Sequence, residues 1–169
     1  MTSPISLPEM FKIVNVAPIQ AANAVTYDAI CCKTAHKVWF IIIQDYAADT
    51  DITFSLIEGT DVAMGTTAAV TAALPVWYNA DVAAATTGAA ATTMIDALTK
   101  ITSGSSHEFD TSAGKAQMCI IEWDPAKHTA GYDCIALTDA NGNASNEVAA
   151  IAIVQTRYPG PNPPSVVID

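Results

Sequence analysis

Residues 36–46 read HKVWFIIIQDY, with an apolar side chain at every position from Val38 to Ile43. The run is rich in β-branched and aromatic residues and far too short for a buried helix, so it reads as a strand. Side chains alternate across a strand, which places Val38, Phe40 and Ile42 on one face and Trp39, Ile41 and Ile43 on the other. Both faces are apolar, and the expectation is that protein covers both. A two-layer sandwich covers one. The second cover then comes from a loop, a helix or another subunit.

Seven further runs carry strand signals between Gly, Pro, Asn, Asp or Ser: MFKIVNVAP, VTYDAICC, DITFSLIEG, LPVWYNAD, QMCIIEWDP, YDCIALTD and VAAIAIVQTRY. In DITFSLIEG, Ile52, Phe54 and Leu56 alternate with Asp51, Thr53 and Ser55, the pattern of a half-buried strand. Many short strands with no long helical period predict an all-β chain, an antiparallel β-sandwich or jelly-roll-like domain. Its length of 169 residues suits one domain, placed at 1–158, with an extended arm at 159–169. Turns are expected at DPAKHTAGYD and at TDANGNASNE, whose Asn141-Gly142 pair favours a tight hairpin. Residues 60–105 are rich in Ala, Thr and Gly; within them TTMIDALTKI fits either a short helix or a strand.

The charge balance limits the partners. Seventeen acidic against seven basic residues give a net charge of −10, with no Lys/Arg cluster, which disfavours direct nucleic-acid binding. No basic-then-apolar leader opens the sequence and no run has the length of a membrane helix, so synthesis in a host cytoplasm without membrane insertion is expected. Cys31, Cys32, Cys119 and Cys134 sit in apolar strand-like runs and read as buried free thiols.

No pattern for chemistry emerges. Asp139, Asn141, Asn143 and Glu147 superficially suggest a calcium loop, but glycine is fourth rather than sixth and the twelfth residue is Ala150. Asp45, Asp49 and Asp51 read as solvated acids in a strand connection. His36, His107 and His128 lack metal-ligand spacing, and His128 has no sequence-defined partner in Ser145 or Cys134. Nucleophile elbows, phosphate-cradling loops and CxxC pairs are missing from the sequence. The reading is a non-enzyme without catalytic, cofactor or metal residues. Trp39 and Trp123 read as core, and at most one of Trp77 and Tyr78 joins them. An aromatic platform for sugars is the alternative function, as a carbohydrate- or receptor-binding module of a phage tail or head fibre.

The sequence ends TRYPGPNPPSVVID. Prolines 159, 161, 163 and 164 exclude both helix and central strand, leaving an arm tipped with aliphatic residues. Such a tip either folds back on its own domain or docks elsewhere. The expectation here is docking on an adjacent subunit or lattice, through Tyr158, Pro159, Pro161, Pro163, Pro164, Val166, Val167 and Ile168.

The succession VNVAPIQAANAVTYDAI, KVWFIIIQ, TFSLIEGTDV, PVWYNAD, MCIIEWDPAKHTAGYDCIAL and the RYP…PP…VID ending resembles the head decoration, or cement, proteins of tailed bacteriophages. The resemblance spans most of the chain, with IEWDP…GYDCI and the ending its most specific parts, and it tips TTMIDALTKI towards strand. It implies a virion protein on the outer capsid surface, bound to the major capsid protein as a homo-oligomer, dimer or trimer. It brings no catalytic residues.

Overall fold

A computed structural model describes residues 6–79, 97–111, 116–157 and 166–167. A short helix, α1 (Leu7–Met10), precedes β1 (Lys12–Ala21), β2 (Ile30–Cys31), β3 (Ala35–Asp45), β4 (Ile52–Gly59), β5 (Thr67–Ala69) and β6 (Val76–Asn79). Then come β7 (Thr99–Ile101), β8 (Ser106–Phe109), β9 (Gln117–Trp123), a 3-10 turn at Pro125–Lys127, β10 (Cys134–Ala140) and β11 (Glu147–Thr156). The strands form two antiparallel sheets packed face to face. One has the order β1-β11-β3-β9-β6-β7; the other runs β2-β10-β4, with β5 and β8 sharing the far side of β4. The all-β sandwich expected from the sequence is the observed fold.

Every one of the eight expected runs contributes a strand. Of the ambiguous TTMIDALTKI, the described part Thr99–Ile101 is strand, and residues 92–96 lie outside the described residues. The core forms where period-2 patterns from the two sheets meet. Val38, Phe40, Ile42, Ile121 and Trp123 face Ile52, Phe54, Leu56, Ile135 and Leu137, all nearly inaccessible to water. Fully burying a side chain of this size contributes roughly 1.5–3 kcal/mol, so this layer dominates stability.

The turn at TDANGNASNE is built as its residues require. Asn141 has a φ of 68°, a value Asn tolerates, and a Cβ on Gly142 would overlap the carbonyl of Ala22. Asn146, fully buried, then ties this turn to the β3–β4 connection. Its side-chain oxygen accepts from the Ala47 and Ala48 amides at 2.9 and 2.7 Å, and its amide nitrogen donates to the Ala48 carbonyl at 3.0 Å.

The described residues leave the second face of β3 open, so the expected second cover does not come from them: Trp39 and Ile41 are half-buried, and Ile43 is 49% exposed. Burial on both faces belongs instead to β10, where Cys134, Ile135, Ala136 and Leu137 are all inaccessible.

The chain terminus departs from expectation. Val166 is fully buried in the domain's own core, Val167 packs against that core, and the Val166 carbonyl accepts from the Cys31 amide at 2.6 Å. These two residues fold back rather than anchor a partner. Strand β2 is the outermost strand of its sheet and its amide needs an acceptor, which the tail supplies at short range. Tyr158, Pro159, Pro161, Pro163, Pro164 and Ile168 lie outside the described residues.

Candidate functional site

The strand registers turn the outer face of the six-stranded sheet into a grid. Its central row runs Asn15, Ile151, Ile41, Ile120, Trp77, Lys100. On one side lies the row Ile13, Ile153, Trp39, Glu122; on the other, Ala149, Ile43, Met118, Asn79. Beyond these, Gln155 and Lys37 close one end, and Glu147 and Asp45 the other.

This face is apolar and open. Ile13, Ile43 and Ile151 are 45%, 49% and 39% exposed, and Ile19, where β1 bulges, reaches 73%. Two shallow hollows mark it. One, of about 270 Å³, is lined by Trp39, Trp77, Leu98, Ile120 and Glu122; the other, of about 280 Å³, by Ile19, Ile43, Asp45, Glu147, Val148 and Ala149. Phe11 meets Trp39 edge-on at 6.0 Å and extends the surface. Apolar patches of this kind are where binding surfaces are found on folded proteins.

Two of its charged groups are engaged within the face. Glu122 accepts from the Lys37 ammonium at 2.7 Å and from the Trp39 indole N–H at 2.9 Å, one bond to each carboxylate oxygen. The Lys100 ammonium lies 4.7 Å from the centroid of Trp77. Trp39 was expected in the core and is instead a half-buried member of this face; Trp123 is in the core. Trp77 points outward while Tyr78 packs on the core, so one of that pair turns inward.

A second cluster lies inside. Glu58 is buried and the His128 side chain is largely enclosed, with the His128 Nδ1 2.9 Å from a Glu58 carboxylate oxygen that also accepts from the Thr129 amide at 2.9 Å. The Trp123 indole, which can only donate, reaches His128 Nε2 at 3.3 Å. His128 is therefore the tautomer with its proton on Nδ1, donated to Glu58. A carboxylate orienting an imidazole is half of a catalytic triad. Here the other nitrogen is occupied by an indole, so the imidazole has no free lone pair for a nucleophile's proton. The cluster locks the 125–129 turn onto β4.

The remaining sequence candidates take structural roles. Asp51 accepts from the Thr111 amide and hydroxyl at 2.8 and 3.1 Å, and Asp49 meets the same hydroxyl at 3.5 Å. Asn143 caps the Ser145 amide at 2.9 Å and donates to Thr50 at 3.2 Å. Among the described residues no group of three or more His, Cys, Asp or Glu is placed to hold a metal ion, and no helix is long and apolar enough to cross a membrane. His36 is exposed; His107 is wedged between the Tyr78 and Phe109 rings at 5.0 and 5.4 Å, and burial lowers its pKa. The four cysteines are buried and form no disulfide, and burial pushes the thiols of Cys32 and Cys119 up, away from nucleophilic thiolate.

Sequence reasoning missed the Glu58–His128 pair and the Asn146 tie. Parity carries a signal for the first: Glu58 falls on the same face of β4 as Ile52, Phe54 and Leu56, so it had to be buried and needed a partner. Compared with known protein families and with curated proteins, the sequence matches none.

Proposed function

We propose that this chain is a non-enzymatic virion protein that decorates and stabilises the outside of an icosahedral phage capsid, bound to the major capsid protein as a homo-oligomer. The observation that carries the reading is the outer face of the six-stranded sheet. On a chain of net charge −10, it is apolar, and its one central carboxylate is neutralised. Such a surface serves attachment to protein, while the acidic remainder keeps an abundant subunit soluble before it docks. The capsid as destination rests on the resemblance of IEWDP…GYDCI and RYP…PP…VID to decoration proteins.

Carbohydrate binding is the second reading, favoured by one feature, the hollow flanked by Trp39 and Trp77. Sugars need hydrogen-bonding groups beside the aromatic wall. The Trp39 indole N–H is already donated to Glu122, and the rest of the hollow is lined by Trp77, Leu98 and Ile120, which weighs towards a protein partner.

The test is co-sedimentation of the purified protein with capsids from a phage deleted for its gene. Saturable binding that raises capsid resistance to heat or low salt is the expected result. No binding to such capsids, together with glycan binding that Trp77→Ala abolishes, would replace this reading with the second.

A further inference from the structure

We infer that the outer face of the six-stranded sheet pairs with the same face of a second copy of this chain, related by a two-fold axis along the row Asn15, Ile151, Ile41, Ile120, Trp77. The pairing uses the face on which the proposed function rests and applies to the purified chain off the capsid, where a capsid would compete with the second copy for it.

The grid is the basis. Five outer rows span the sheet on β3 and β11, and the Ile41–Ile151 row is the middle one. A two-fold axis lying along it reverses the strand direction of the second copy, so each middle-row residue meets its own counterpart. The flanking rows exchange: Trp39 of one copy lies over Ile43 of the other, and Ile153 over Ala149. Each pairing sets the bulkier side chain against the smaller, as interdigitating layers require. The end rows exchange too. Lys37 of one copy then comes to the end that carries Asp45 and Glu147 in the other. Opposite charges therefore meet at both rims of an apolar centre.

Charge also selects the occupant. Two bodies of −10 repel over most of their surfaces, but the three central rows hold one carboxylate, Glu122, bonded to Lys37, and one ammonium, Lys100. On this face the one like-charge meeting is Lys100 with its own counterpart at the β7 end of the axis, where each ammonium lies over the Trp77 ring of its own copy. Size is sufficient as well. Five strands about 4.8 Å apart and three rows about 6.8 Å apart give a footprint of roughly 500 Å² on each copy, roughly 1,000 Å² for the pair, the lower bound for a specific interface. The geometry corresponds to a reversible dimer.

Sedimentation velocity of the full chain over a concentration series tests this. Wild type should form dimers; Ile41→Asp and Ile41→Lys should each weaken self-association by at least about tenfold through like charges on the axis, with circular dichroism unchanged. Mixing the two variants should restore dimers, because aspartate then meets lysine. Only a second copy of this chain predicts that rescue. If the Ile41 variants fail to fold, the pair Ile151→Asp and Ile151→Lys, at a more exposed position on the same axis, gives the same test. A wild type that stays monomeric at its highest soluble concentration, charged variants that still dimerise, or mixtures that fail to re-pair would each overturn the inference.

Discussion

The two faces of strand β3 have nearly the same composition and opposite fates. Val38, Phe40 and Ile42 are inaccessible to water, whereas Trp39, Ile41 and Ile43 look outward, half-buried or exposed. Hydrophobicity alone does not tell a face filled by its own chain from a face left for something else. What separates them is the supply of opposing residues: β4 and β10 present Phe54, Leu56, Ile135 and Leu137 to the inner face, and no described element stacks across the outer one.

That difference makes the largest mutational contrast. Phe40→Asp should abolish folding, because an unpaired carboxylate in the core costs several kcal/mol, the scale of a domain's whole stability. Ile41→Asp, one residue away, should shift the monomer's unfolding free energy by about 1 kcal/mol or less. Urea titration followed by tryptophan fluorescence measures both, and equal losses would erase the distinction between the faces.

Polar groups repeat the contrast at smaller scale. His128→Ala leaves the buried Glu58 with a single amide donor and the Trp123 indole without an acceptor, and should cost about 2–3 kcal/mol. Lys37→Met, which breaks the partly exposed pair with Glu122 on the outer face, should cost under about 1 kcal/mol in the same titration.

Val166→Ala belongs with the buried groups, at about 1–3 kcal/mol, since it removes two buried methyl groups while keeping the carbonyl bond to Cys31. A melting temperature unchanged by this substitution would mean the tail contributes nothing to the inner layer.

The smallest effect is a pH slope. Burial lowers the pKa of His107, so the unfolded chain takes up its proton first as pH falls. Stability tied to this group is complete above the unfolded value of about 6.5 and declines as pH drops below it. In His107→Phe the slope between pH 7 and 5 should flatten; a slope identical to wild type would assign it to other groups.

These comparisons also mark what the sequence could carry. Strand positions were legible because period-2 alternation and turn residues are local, and Ile52, Phe54 and Leu56 were placed on the correct face. The short strands β5 and β8 escaped notice, since Thr67–Ala69 and Ser106–Phe109 are too brief and too polar to show a period. The grid of the outer face depends on which strands pair and in what register, and β11 lies between β1 and β3 although more than a hundred residues separate them in the chain. The fate of Val166 depended on a vacant acceptor position beside Cys31, a fact of tertiary structure that no local pattern encodes.

The bond between Val166 and Cys31 bears on how far such a protein can polymerise. An outermost strand with free amides is a template on which another chain can add a strand, and addition of that kind has no natural end. Here the tail engages the amide of Cys31 on β2, while β1 carries Pro18 and two register shifts, and β5 and β7 are three residues long. Both sheets are blunted along their rims. A copy that is adhesive on one face and not along its rims closes at two subunits instead of growing into a fibre, which lets an apolar surface persist at high concentration.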